Sequence, residues 1–196
     1  MEWLFIIVLA AGMAALGKAY LGNPSEEVLS PKRPLLLVSV CNPGDQPSQA
    51  LQDWTQECLA SELGVQIHLA QSPLYIPKEA LHPQRGQGDA VHLVGLVEGL
   101  VKPEYAVLGL TEYDLHSPLR RDLPYALGAR KGRAGLVSTY RMEDKRDPPN
   151  TELRLRKMLV RYGAELVCDA PRNDDPTSVL YSNLQSPEQL DIMQWE

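Results

Sequence analysis

Leu35-Leu-Leu-Val-Ser-Val40 is an apolar, partly β-branched run held between Pro34 and the turn-forming Asn42-Pro-Gly44. So short a run between such breakers reads as a buried strand. From Ser48 to Leu63 the pattern changes to helical spacing, with Leu51, Trp54, Cys58 and Leu59 on one face, Ser48 placed to cap the start and Gly64 to stop the end. Val65-Gln-Ile-His-Leu-Ala70 then alternates with a period of two, as a second strand. Asp89 to Val101 reads as a second helix and Tyr105-Ala-Val-Leu-Gly-Leu110 as a third strand. A β-α-β-α-β order predicts an α/β fold, a sheet with right-handed crossovers and helices packed on it.

Further along, Gly135-Leu-Val-Ser-Thr-Tyr140 adds a strand. A helix is expected from about Thr151 to Val167, with Asp147-Pro-Pro-Asn150 as its start signal. Beyond Asp169 the chain is rich in Pro, Asn and Asp and ends in a short helical tail, Ser186 to Trp195. With 44% apolar residues in 196, the chain can build one substantial core. Its net charge of -6 lacks the basic excess that phosphate binding needs, which argues against a nucleic-acid partner. Cys41, Cys58 and Cys168 are odd in number and form no Cys-x-x-Cys pair, so they read as free thiols.

The N-terminus has a different character. Trp3 to Gly17 is apolar and uncharged up to Lys18, shorter than the roughly 20 residues of a full membrane span. Residues 1–22 are therefore expected to form a hydrophobic helix serving as a signal peptide or, if the run continues past a snorkelling Lys18 to Leu21, a membrane anchor. Glu2 in place of a basic start weakens the cleaved signal, and Lys18, Lys32 and Arg33 on the C-terminal side suit a cytoplasmic domain. The protein is thus expected to be anchored or exported, with 23–34 as a Pro-rich linker and 35–196 as the domain.

Three segments carry a family resemblance: Pro83-Gln-Arg-Gly-Gln-Gly-Asp-Ala90, Val107-Leu-Gly-Leu-Thr-Glu-Tyr-Asp-Leu115 and Gly132-Arg-Ala-Gly-Leu-Val-Ser-Thr-Tyr-Arg141. In this order, and with these strands and helices around them, the chain from about residue 35 to 160 resembles the archaemetzincin family of zinc peptidases. The resemblance implies a metzincin-like twisted mixed sheet with packed helices. It also implies that the helix after the edge strand should carry His-Glu-x-x-His-x-x-Gly-x-x-His, followed by cysteines for a second zinc and a methionine turn. Two histidines four apart share a helix face and one metal, and the intervening Glu activates the metal-bound water.

Here the pattern departs. Placed on this sequence, the two histidine positions and the glutamate position fall on Arg161, Glu165 and Tyr162, and no His follows His116. Only Cys168 remains of the cysteines, and Ser178-Val-Leu-Tyr181, near the expected methionine turn, has no Met. The expectation is a non-catalytic pseudopeptidase without a zinc cofactor, binding a peptide or protein in a residual cleft. The alternative is a divergent zinc-dependent metallopeptidase using non-standard ligands such as Glu165 and Cys168, with Asp169 beside them.

Arg154, Lys157, Arg161 and Glu165 fall on one helix face, Leu155, Leu159, Tyr162 and Leu166 on another. The charged stripe is expected to be solvated and to point into the old cleft, where Arg154, Lys157 and Arg161 suit an acidic ligand. An exposed Arg161–Glu165 pair would contribute only about 0.3–0.5 kcal/mol. Gly135, Leu136, Val137, Ser138 and Thr139 are expected to form the edge strand that accepts an extended peptide by strand addition. His68, His82, His92 and His116 read as surface or packed residues, and Asp174, Asp175 and Asp191 as turn and cap residues.

Overall fold

In the computed structural model, which describes residues 30–120 and 123–195, β1 (Leu35–Cys41) runs through the interior of a six-stranded sheet. α1 (Gln49–Leu63) follows, started by Ser48, whose hydroxyl accepts from the Leu51 N–H at 3.2 Å, and ended by Gly64 in the left-handed region at φ 61°. β2 (Ile67–Leu69) pairs in parallel with one side of β1, and β5 (Ala106–Thr111) with the other. The two-residue β3 (Leu74–Tyr75) extends the pairing at the end of β1.

Between them lie β4 (Gly88–Asp89) and α2 (Ala90–Glu98), with the Asp89 carboxylate capping the Val91 and His92 N–H groups. β4 pairs with β6 (Leu115–His116) in a small separate ribbon. β7 (Gly128–Lys131) and β8 (Ala134–Ser138) form a hairpin turned by Gly132 at φ 57°. The main sheet runs β2-β1-β5-β8-β7, parallel throughout except for β7, so the expected mixed α/β sheet is present.

The edge assignment is corrected. Gly135, Leu136, Val137 and Ser138 belong to β8, an interior strand paired with β5 and β7, and the Thr139 N–H donates to the Thr111 carbonyl. Their main chain is already satisfied and has no place for an added strand. The edge is β7, whose Gly-Ala-Arg-Lys composition gives no apolar alternation to read.

α3 (Pro148–Gly163) lies with α1 on one face of the sheet, sharing a core of Leu35, Leu37, Leu59, Leu108, Leu155 and Leu159. α2 covers the other face through Leu93, Val94 and Val97. α3 starts with Pro148 at its first position and widens into a π-helical turn, Ala164–Cys168, so the expected Thr151–Val167 helix is placed but not uniform. α4 (Gln189–Ile192) closes the tail.

Residues 1–22, with their hydrophobic helix, and the linker up to residue 29 lie outside the described residues. Among the described residues no helix is long and apolar enough to cross a membrane. Lys32 and Arg33, read as linker, are docked: the Lys32 N–H donates to the Val167 carbonyl, and Arg33 grips Asp169 with bonds of 2.7 and 3.0 Å.

Candidate functional site

The π turn is where the charged face of α3 ends. Asp169 stops it in the left-handed region at φ 57°, its N–H returning to the Ala164 carbonyl. Arg33 and Lys32 sit on this carboxylate-terminated end, where Arg33 Nη1 also donates to the Leu166 carbonyl at 2.8 Å, cations placed at the negative end of the helix. The Arg33 hydrogen bonds, more than its charge, hold the Asp169 carboxyl at about 2.

Within the turn Glu165 is fully buried. Arg172 forks its carboxylate, Nε to Oε1 at 2.9 Å and Nη2 to Oε2 at 3.1 Å. Arg130, from β7, donates to Oε2 at 3.2 Å, and Arg161 lies one turn back at 3.6 Å. Three guanidiniums thus enclose one carboxylate. Beside them Tyr162 is buried against β7 and β8, and its phenol is pushed up by burial, so it keeps its proton.

The polar stripe is not solvated. Arg154 and Arg161 are buried, Lys157 half-buried, because the segment after Ala170 folds back across α3. Arg154 makes a bidentate pair with Asp191, both bonds 2.7 Å, Lys157 donates to the Leu190 carbonyl and Arg161 to the Val179 carbonyl. Val179, Leu190, Met193 and Trp195 anchor this strap in the core. Asp191 is therefore an ion-pair partner, not a cap. Asp175 does form the expected turn, accepting from the Thr177 N–H. The cations expected to face a ligand are spent on the tail.

The exposed cations are others. A hollow of about 420 Å³ opens beside β7, lined by Gly128, Ala129, Arg130, Gly132, Tyr162 and Arg172. Neither Arg130 nor Arg172 stands out in the sequence; the one available signal for Arg172 is its place seven residues beyond Glu165.

The three quoted segments meet elsewhere. Gln87 from the first and Arg141 from the third both donate to Asp114 of the second, Gln87 at 2.9 Å and the Arg141 Nε at 2.9 Å. Tyr125 lies under the Arg141 guanidinium at 4.5 Å. His82 and His116 pack edge to face, their rings 5.1 Å apart, and Cys58 is pushed up to about 12 by burial. Both behave as packed groups.

No protein-family profile and no curated protein matches the chain. Solved structures do. The archaemetzincin of Methanopyrus kandleri superposes with a TM-score of 0.64, over 88% of this chain and 91% of its own, at 24% identity. A zinc-dependent peptidase of Methanocorpusculum labreanum gives 0.61, over 83% and 94%, at 17% identity. The archaemetzincin of Archaeoglobus fulgidus, complexed with malonate, gives 0.63, over 83% and 94%, at 10% identity.

The fold is that of the archaemetzincins.

Zinc, which the archaemetzincin fold implies, does not fit the side chains on the π turn. A zinc site needs lone pairs from neutral imidazole, thiolate or carboxylate. Arg161 and Arg172 offer none, and both Glu165 oxygens are taken by guanidiniums. A dication there would also meet three positive charges. Glu165, Cys168 and Asp169 do not converge as the alternative ligand set requires, since Asp169 faces Arg33 and Lys32 while Glu165 faces the arginine cage. Among the described residues no three His, Cys, Asp or Glu side chains are grouped to hold a metal.

Proposed function

We propose that this protein is a pseudopeptidase: an archaemetzincin frame that hydrolyses nothing and binds a peptide or protein in the residual cleft beside β7. The observation that carries the reading is the buried Glu165 enclosed by Arg130, Arg161 and Arg172. A peptidase of this frame needs a metal to bring the pKa of water down to roughly 7. The cage supplies cations in place of ligands, and the proton-holding Tyr162 is no general base.

Binding needs less. Among the described residues β7 has no strand on its outer side, so main-chain hydrogen bonds are available there to an extended peptide. The N-terminal run is proposed as membrane-directed, as a signal or an anchor, which alkaline phosphatase and fluorescent-protein fusions after Glu196 distinguish by side.

The decisive measurement is metal content. The full chain, purified and dialysed, is expected to carry far less than one zinc by elemental analysis and to leave a mixed peptide library uncut. One zinc per chain that survives dialysis, with cleavage that chelation abolishes, overturns the reading in favour of a metallopeptidase with other ligands.

A further inference from the structure

The cage around Glu165 is unbalanced in charge. Arg161 is almost wholly buried, and beyond Glu165 it donates to an uncharged carbonyl, that of Val179. Burial, and then Arg172, lower its guanidinium, yet a guanidinium keeps its proton in proteins. For Arg172 burial acts downward, but the Glu165 hydrogen bonds and charge outweigh it, helped by Tyr162. No second carboxylate acts on either guanidinium among the described residues. One negative charge therefore serves three positive ones.

The surplus is directed at the hollow. The side chains of Arg130 and Arg172 are each 36% exposed, whereas Glu165 is wholly covered. Arg130 donates through Nε to the Gly132 carbonyl at 3.2 Å and through Nη1 to Glu165. Arg172 uses its Nε and Nη2 edge on Glu165. A guanidinium has five N–H donors in a planar fork, so neither is exhausted by these bonds. Both line the same space, together with Gly128, Ala129, Gly132 and Tyr162.

The geometry points to a carboxylate-binding site in this hollow, with Arg130 and Arg172 as its donors. A carboxylate matches the fork because it is planar and offers two oxygens, which is how Arg172 already holds Glu165. The hollow adjoins the outer side of β7, so the carboxylate has two sources, the end of an extended peptide or a free dicarboxylate. The inference rests on the reading above in one respect: the cage, not a metal, is the source of positive charge.

The test titrates the full chain, treated with EDTA and dialysed, against three probes by calorimetry. They are succinate and an N-acetylated alanine–serine peptide with either a free or an amidated C-terminus. Saturable binding at one per chain is expected for succinate or the free-acid peptide, weakening as NaCl is raised. Arg130→Gln, where one bond to Glu165 is lost against two at Arg172, should weaken it at least roughly tenfold in a variant that circular dichroism shows to be folded. Arg172→Lys, which keeps charge but loses the fork, should weaken it too, whereas Lys102→Gln should not.

Binding of the acid but not the amide assigns the carboxylate to a peptide end; binding of succinate alone assigns it to a small dicarboxylate. A zinc-free chain that binds neither, or an Arg130→Gln variant that binds both as well as the parent does, overturns this inference and leaves the pseudopeptidase reading standing. Zinc in the untreated chain, with succinate binding lost on EDTA treatment, overturns the pseudopeptidase reading and this inference together.

Discussion

Arg141 holds Asp114 by a bidentate pair, with Nε on Oδ1 at 2.9 Å and Nη2 on Oδ2, while Gln87 shares Oδ2. Gln87, Asp114 and Arg141 come from three separate segments, each of which resembles an archaemetzincin motif. Their meeting brings the three segments together at one contact. The Gln87–Asp114–Arg141 contact is a buckle: it fixes the ribbon of β4 and β6 against the end of β8 and requires no metal.

The buckle should be worth measurable stability. Asp114 is only 14% exposed, and Asp114→Asn removes the charge that Arg141 and Gln87 are arranged around. A loss of about 1–3 kcal/mol is expected, as for a charged hydrogen bond left unmade. In a chain of this size that lowers the melting temperature by several degrees. A change below one degree in calorimetry would show the buckle to be idle.

A second expectation concerns acid. The Arg33 hydrogen bonds hold Asp169 at about 2, against roughly 3.9 in an unfolded chain. Because the folded value is the lower one, the pair's stabilisation is present in full above about pH 4 and is lost as pH falls through about 2. Asp169 is 44% exposed, so solvent screening holds the effect to at most about 1 kcal/mol. Urea unfolding of Asp169→Asn, which tolerates the left-handed backbone, should show a deficit near pH 6 that disappears near pH 2. A deficit independent of pH would assign it to the turn.

Local patterns carried the frame and non-local ones did not. Ser48 and Gly64 are legible because a cap involves neighbours within a few residues. The Arg161–Glu165 proximity is likewise legible from helical spacing. Its burial is not, because what covers α3 comes from Val179, Leu190 and Asp191, far along the chain, and no local pattern says where that tail docks. Arg130 reaches Glu165 only through the β7–β8 hairpin, and β7 has no periodicity to announce it. That unread strand also explains why β8 looked like the edge.

Two glycines should respond differently to the same change. A Cβ on Gly128 would meet the Leu136 carbonyl oxygen and lie 2.8 Å from the Tyr162 hydroxyl, and a backbone carbonyl cannot swing aside. Gly128→Ala is therefore expected to cost about 1–3 kcal/mol or more. At Gly163 the nearest atoms are the Leu63 and Leu59 methyls, at 2.6 and 2.9 Å, the ends of side chains that can shift. Gly163→Ala also gains roughly 0.5–1 kcal/mol of helix propensity, so its net cost should be smaller. Equal losses in urea unfolding would refute the distinction.

The cage itself makes the largest demand. Breaking a buried ion pair by removing one member costs about 3–5 kcal/mol, because the remaining charge is stranded. Glu165→Gln would leave Arg161 buried beside two other cations, Arg130 and Arg172, with no anion among the three, so a loss in that range is expected. Replacing both partners, Arg161→Met with Glu165→Leu, removes one cation along with the anion and leaves Arg130 and Arg172 at the exposed rim, where water can serve them. The double variant should therefore lose less than the sum of the two single ones, a coupling read from a double-mutant cycle in urea. Additive losses would mean that Arg161 is held by the Val179 carbonyl and the tail rather than by Glu165, and that the cage is three separate contacts rather than one unit.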